Sequence, residues 1–345
     1  MRRVVGTNRS FPRRSWGSPM LISSPKWPPS EALSAMELIT GSTGFIGSRL
    51  MRPASRALVR HPTDASNSIV GDLLNPASLR GACADIKCVF HCAGYAHAFT
   101  TSDPDLHWRV NFEGTRNLLD AAVETGVKRF ILLSSVKAMA EPGDECVDED
   151  WPGEPVSAYG RAKRAAEDAV LEAGIKYGMH VVNLRLAMVY GRGGKGNLER
   201  MARGIRAGWF PRLPDTGNRR SLVHVDDVVV AARAVADAPA ANGRTYIVAD
   251  PRPYSGREIF DTIRGVSPRL TFPWSVPAPV LRAGGAVADW GGRLLGRPLP
   301  LNSEMVERLL GSACYSPARI ERELGWWAKV GLEEGAREML GVDKR

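Results

Sequence analysis

The sequence predicts an α/β fold, a doubly wound parallel sheet followed by a smaller, mixed α/β C-terminal lobe. Two observations carry this. From residue 36 onward, short apolar runs alternate with helical stretches, as in parallel strands joined by crossover helices and covered on both faces. After about residue 190 the alternation gives way to the loop-rich text "GRGGKGN" and "LPDTGNRR". This places a nucleotide-type domain at 36–190, also receiving segments from 221–240, and a mainly substrate-binding lobe at 191–345. A ligand is expected in the cleft between them.

The apolar runs read as strands are 37–40, 56–60, 68–71, 86–91, 129–134 and 180–186. Asn75 before Pro76 marks a helix start, and Gly126 is a plausible helix stop after "LHWRVNFEGTRNLLDAAVET". "AYGRAKRAAEDAVLEAGIKYG" continues helically for about five turns. Only residues 42–55 separate the first two strands, and Pro53 should end the intervening helix near Met51. That helix must therefore be short. Later come "SLVHV", a helix over 226–238 and "RTYIVAD"; beyond 270 the text is mostly helical, broken at Pro273, Pro277, Pro279, Pro298 and Pro300.

Residues 1–35 read as an arm outside the fold, an over-extended start or a disordered segment, with Arg, Ser and Pro clusters and no sustained period. Arg2, Arg3, Arg9, Arg13, Arg14 and Lys26 stand there against Glu31 alone, so over half of the net charge of +9 belongs to the arm. The rest shows no basic stripe and predicts no nucleic-acid partner, while modest positive charge suits an anionic small substrate. A hydrophobic content of 44% and a charged content of 24% are ordinary for a soluble globular enzyme. No run approaches the roughly 18 apolar residues of a membrane span. The five cysteines lack CxxC pairs. Cys88, His91 and Cys92 fall on an alternating apolar strand, which predicts buried reduced thiols, no metal site and a cytoplasmic, reducing compartment.

"ITGSTGFIGSRL" puts Gly41, Gly44 and Gly47 at the end of the first strand and the start of a helix, with Thr43, Phe45 and Ile46 between them. A tight turn there lets backbone N–H groups approach a pyrophosphate, so a dinucleotide, NAD or NADP, is the expected cofactor. Arg60, just after the second strand, favours a 2′-phosphate and hence NADP; His61 and Asp64 follow it. Asp72, after the third strand, could accept from the adenine amino group or cap the next turn. Leu73, Cys92, Ala93 and Leu186 complete the expected cofactor contacts.

Tyr159 and Lys163 stand four residues apart, which on a helix brings them to one face. A phenol near pKa 10 is a poor base at neutral pH, but a neighbouring ammonium and an oxidised nicotinamide would favour phenolate. It could then exchange a proton with a substrate hydroxyl. Ser135, at the carboxyl end of "RFILLSS", is the third candidate; Ser134 competes with it and would point to the opposite face.

"TGSTGFIG", "SS" and "YGRAK", in this order, resemble the extended short-chain dehydrogenase/reductases, specifically the NAD-dependent epimerase/dehydratase group with its Rossmann-type domain. "RVNFEGTRNLL", "LRLAMVYGRGGKGN", "GNRRSLVHVDDVV" and "RIERELGWW" resemble segments of UDP-hexose 4-epimerases and nucleotide-sugar 4-ketoreductases. The resemblance covers residues 36–345. It implies Ser135, Tyr159 and Lys163 as catalytic triad, Asn111 as a structural hydrogen-bonding residue, and Asn197 and Arg220 as contacts of a substrate diphosphate. Asn197 could alternatively cap its helix, with Arg219 as the outward neighbour of Arg220. Val136 and Lys137 stand where dehydrating members carry Asp and Glu, so dehydration is not expected; Leu186 replaces a common proline. The expected activity is epimerisation or ketoreduction at C4 of a UDP-linked hexose. The alternatives are reduction of a lipophilic or small ketone, and a non-catalytic NADP-sensing module. The group's frequent dimers point to a homodimer.

Overall fold

The computed structural model describes residues 36–95, 103, 105–194, 196–267, 275–296, 299 and 302–342. The arm of residues 1–35 and the expected breaks at Pro273, Pro298 and Pro300 lie outside them. In chain order the elements are β1 (Glu37–Thr40), α1 (Gly47–Leu50), β2 (Ser55–Val59), β3 (Ser68–Val70), α2 (Leu79–Cys83), β4 (Cys88–His91), α3 (Gly114–Glu124) and β5 (Arg129–Ser135). There follow β6 (Cys146–Val147), α4 (Ala158–Tyr177), β7 (His180–Leu186), β8 (Met188–Tyr190), α5 (Asn197–Ala207), β9 (Leu222–His224), α6 (Val225–Asp237) and β10 (Arg244–Val248). The chain closes with α7 (Gly256–Val266), α8 (Ala278–Leu294), α9 (Ser303–Leu310), β11 (Cys314–Tyr315), α10 (Ala318–Leu324) and α11 (Leu332–Leu340).

Seven strands form one parallel sheet in the order β10-β7-β5-β4-β1-β2-β3. Their near-continuous apolar sequence follows from burial on both faces. Successive residues of a strand point to opposite faces, and the core divides accordingly. Leu38, Val89, Phe130, Leu132 and Val181 pack in one layer with residues of α2, α3 and α4. Ile39, Phe90, Ile131, Leu133 and Val182 pack in the other with α6. The connections reverse direction between β1 and β4, so the crevice at the carboxyl ends of these strands is the natural ligand position.

The sheet takes its seventh strand from residues 244–248, which the sequence reading had grouped with the C-terminal lobe. β10 pairs in parallel with β7, Tyr246 opposite Leu184. Its composition marks it as a strand but not as a member of either sheet.

The short first helix is present as Pro53 predicts. α1 is a single turn, and Met51 is already extended, with ψ 134°. Arg233 of α6 compensates: its guanidinium bonds the Leu50 carbonyl at 2.6 Å, pairs with Glu37 of β1 and lies 4.9 Å from the Phe90 ring centroid. Ser55 donates to the other oxygen of Glu37 at 3.1 Å. Arg49 joins α1 to Asp226 of α6 at 3.1 Å and to the Arg192 carbonyl at 2.7 Å.

A second, smaller cross-connection holds the later part of the chain. The parallel pair β6–β11 carries a disulfide between Cys146 and Cys314, with Cα atoms 4.5 Å apart and a sequence separation of 168. Beside it Ser221 N–H donates to the Ala313 carbonyl and Ala313 N–H to the Arg219 carbonyl. Cys83, Cys88 and Cys92 are unpaired, as expected for the latter two. Among the described residues no helix is long and apolar enough to cross a membrane.

Two stability experiments follow from these contacts. Cys146 is exposed, so Cys146→Ser removes the bridge with little repacking. It should destabilise the oxidised protein by about 2–5 kcal/mol in denaturant titration, and its midpoint should coincide with that of reduced wild type. Asp250, just beyond β10, is 3% exposed; burial, with the Asp227 carboxylate adding to it, raises its carboxyl to about 7. An unfolded aspartate titrates near pKa 3.9, so the folded state binds more protons between these values and loses stability as pH rises through that window. The Tm advantage of Asp250→Asn over wild type should therefore grow from about pH 5 to about pH 8; a constant difference would refute the assignment.

Candidate active site

The glycine loop closes on itself by Gly44 N–H donating to the Gly41 carbonyl at 2.9 Å. Gly41 has φ +65°, and a β-carbon on it would stand 2.8 Å from the Ala93 nitrogen. A β-carbon on Gly47 would stand 2.1 Å from the Gly41 oxygen, and one on Gly44 would stand 3.0 Å from it. Only bare backbone fits here, which leaves the loop's N–H face open to a pyrophosphate. Thr43 is exposed, while Phe45 and Ile46 are half-buried and Ile46 packs on the core. The residues present therefore fit a dinucleotide.

Behind the loop lies a fully paired buried chain. Ala93 N–H donates to Thr40 Oγ1 at 3.0 Å, and Thr40 Oγ1 lies 2.7 Å from His91 Nδ1. His91 Nε2 lies 2.9 Å from Thr115 Oγ1, which donates to the Asn111 carbonyl at 2.7 Å. Because the Thr115 proton is engaged, His91 must donate through Nε2 and accept through Nδ1. Burial, aided by the Lys163 ammonium, holds this imidazole neutral, its pKa pushed down to about 3. His91 thus ties β1, β4 and the Asn111 turn together and is no metal ligand in this arrangement. Cys92 beside it is half-buried, its thiol pushed up to about 12 by burial.

Asn111 lies in a π-helical turn, Trp108–Glu113. Its side chain accepts from Tyr95 N–H at 2.7 Å and donates to the Tyr95 carbonyl at 2.9 Å, in keeping with the structural role expected for it. A β-carbon on Gly94 would meet the Asn111 Oδ1 at 2.9 Å.

α4 begins at Ser157, whose side chain accepts from Gly160 N–H at 3.0 Å. A β-carbon on Gly160 would stand 2.2 Å from the Lys137 carbonyl, so α4 packs closely on the segment after β5. Tyr159 is half-buried in the first turn of α4, with the Ser135 side chain close enough to act on its pKa. Ser134 faces the other way, as its alternation requires, and donates to buried Glu167 of α4 at 2.5 Å. Glu167 forms a fork with Arg185 of β7, at 2.8 Å for Nη2–Oε2. Lys163 is 4% exposed and donates to the Leu133 carbonyl at 2.8 Å. Burial pushes its pKa down to about 8, against the pull of Glu167.

The expected lowering of the phenol by Lys163 does not appear in this geometry. Burial raises the Tyr159 pKa, the Ser135 hydrogen bond opposes it, and Glu167 adds to it. The Lys163 ammonium is directed at the Leu133 carbonyl.

Leu186 lies opposite Ser135 in the β5–β7 register. Arg60 follows β2 directly and is exposed. The Asp72 carboxylate accepts from Leu74 N–H at 2.9 Å, the turn-capping role, and Leu73 is buried against Gly114.

Asn197 and Arg220 line one cavity together with Met188, Met201, Met305 and Arg308. Asn197 is the first residue of α5, whose N-cap is Gly196, so Asn197 is not the cap of this helix. Arg220 Nη1 donates to the carbonyls of Arg308 and of Gly311, the latter at 2.9 Å. Burial lowers its pKa. Arg219 is exposed and bonds the Asp144 carbonyl. The sequence reading missed His107, whose ring stands edge-on to Tyr159. It also missed Tyr95.

Glycine loop, parallel sheet and Ser–Tyr pair define an NAD(P)-dependent enzyme of the extended short-chain dehydrogenase/reductase type. Residues 37–249 match the NAD dependent epimerase/dehydratase family, and the chain belongs to that family. It is 30% identical over 319 residues to a UDP-glucose 4-epimerase of Vibrio cholerae, covering 87% of this chain and 93% of the relative. It is 27% identical over 285 residues to the decarboxylating sterol-4-alpha-carboxylate 3-dehydrogenase of Saccharomyces cerevisiae, covering 78% of this chain and 81% of that one. In fold it is similar to a UDP-glucose 4-epimerase of Thermotoga maritima, with TM-score 0.69 at 21% identity over 89% of this chain and 97% of the other.

Gly47→Ala should weaken cofactor binding at least about tenfold, because the β-carbon would displace the Gly41 backbone. Fluorescence titration with NADH and NADPH checks this, with circular dichroism confirming the fold.

Proposed function

We propose that this enzyme acts at C4 of a UDP-linked hexose, as a 4-epimerase or a 4-ketoreductase. The observation that carries the reading is the convergence of Asn197 and Arg220 on one cavity from separate segments of the chain. An amide and a guanidinium suit the oxygens of a diphosphate, and Arg308 lines the same cavity. The Vibrio cholerae relative, a UDP-glucose 4-epimerase, supports the same substrate class. Arg60 after β2 favours NADP over NAD.

In this reading Tyr159 exchanges the proton of the sugar 4-hydroxyl, and Ser135 holds the oxygen by hydrogen bonding as carbonyl character develops. Lys163, at about 8, remains largely protonated at neutral pH and offers its remaining N–H donors to the cofactor ribose. The nicotinamide, when bound, supplies the hydride acceptor and donor. The phenol, raised by burial, suits the proton-donating direction, which is reduction of a 4-keto sugar. Val136 and Lys137 offer no carboxylates for elimination.

A lipophilic ketone is the second reading. The cavity is otherwise walled by Leu198, Met201, Leu213, Ile259 and Met305, and the yeast relative is a sterol dehydrogenase.

The test is incubation with UDP-hexoses and their 4-keto derivatives, following sugar stereochemistry by NMR and cofactor oxidation by absorbance. Turnover of UDP-sugars, with Tyr159→Phe slower by about 10²–10⁴ and Arg220→Ala raising KM for the sugar, is the expected result. Turnover of sterols or simple ketones alone would replace this reading by the second.

A further inference from the structure

We propose that His107 is a positioning residue for Tyr159, holding the phenol beside Ser135 through the T-shaped contact of their rings. His107 is 7% exposed and lies one turn before Asn111. Its Nδ1 is 3.2 Å from the Tyr95 carbonyl. A carbonyl only accepts, so Nδ1 carries the proton and the plane of the ring is set by that bond. The same carbonyl accepts from Asn111 Nδ2 at 2.9 Å. His107 and Asn111 therefore grip one backbone oxygen from successive turns of the same helix.

The fixed imidazole contacts two aromatic rings. The Tyr95 ring is 5.1 Å away at 51°, and the Tyr159 ring is 5.7 Å away at 71°, an edge-on contact. Both lie within the range of favourable aromatic geometry. Tyr159 sits in the first turn of α4, where its ring is only half-buried and its hydroxyl is near enough to Ser135 for that side chain to favour the phenolate. The phenol oxygen lies on the axis of the second side-chain torsion, so the first torsion alone swings it, and a lateral contact on the ring limits that swing. His107 supplies that contact, and the Tyr95 backbone supplies its reference. The orientation of the acid–base group is thereby coupled to the loop that leaves β4 at the cofactor crevice. In the C4 reading above, on which this inference rests, His107 acts on the proton-transfer step through Tyr159 and touches neither sugar nor cofactor.

Two substitutions separate the halves of this contact. His107→Phe keeps a flat ring edge and loses the N–H; His107→Asn keeps an N–H near Nδ1 and loses the ring. His107→Asn should lower kcat about tenfold, the scale of a small misplacement of a reacting group, with KM for sugar and Kd for NADPH unchanged. His107→Phe should recover kcat to within about threefold of wild type. Unchanged kcat in His107→Asn, or a loss expressed in KM instead, would overturn the assignment, as would equal losses in both variants. Crystal structures of the two variants give a readout independent of any substrate. Tyr159 should remain on Ser135 in His107→Phe and leave it in His107→Asn, and an unmoved phenol in both would also overturn it. Wild type without C4 turnover would refute the substrate reading alone, since the crystallographic comparison still decides the role of His107.

Discussion

The placement of α4 on the sheet depends on two of its buried charges, Lys163 and Glu167, each satisfied by the sheet beneath. Lys163 reaches the Leu133 carbonyl, while Glu167 takes the Arg185 fork and the Ser134 hydroxyl. Charges removed from water are tolerated only when paired or hydrogen-bonded. A shift of α4 along β5 and β7 would break these pairings at once. The helix therefore has one acceptable register, and in that register Tyr159 reaches Ser135. Serine alternation completes the arrangement, since Ser134 and Ser135 point to opposite sides of one strand and serve an anchor and a site respectively.

The cofactor end solves a different problem. A one-turn α1 cannot by itself cover the sheet or hold a glycine loop in place. Arg233 and Arg49 attach that turn to α6, β1 and the segment after β8. Beneath the loop, the Thr40–His91–Thr115 chain leaves no polar atom of the imidazole unpaired. Helix length has been replaced by side-chain tethering.

The sheet was legible because its strands are continuous apolar runs, and the short gap between the first two strands, with Pro53 in it, foretold the truncated helix. Tyr159, Lys163 and the glycine loop were legible because their partners are local or their spacing is helical. Other features rest on contacts between distant parts of the chain and leave no periodic trace. β10 looks like any strand until its neighbour β7 is known. The π-helical turn around Asn111 follows a sequence that reads as plain α-helix. His107 gains meaning only from Tyr159, and an odd count of cysteines concealed one pair. The position of Lys163 on a carbonyl, away from the phenol, depended on depth of burial, which spacing does not report.

That cysteine pair has a consequence for how the chain is connected. The bond between Cys146 and Cys314 turns the intervening 168-residue separation into a closed covalent ring. Tyr159, Lys163, Asn197 and Arg220 all lie on the ring, whereas the glycine loop, His107 and Ser135 lie on the tail that precedes it. A single cut anywhere within the ring would leave one covalently joined molecule, with Tyr159, Lys163, Asn197 and Arg220 still tethered to each other and to the tail.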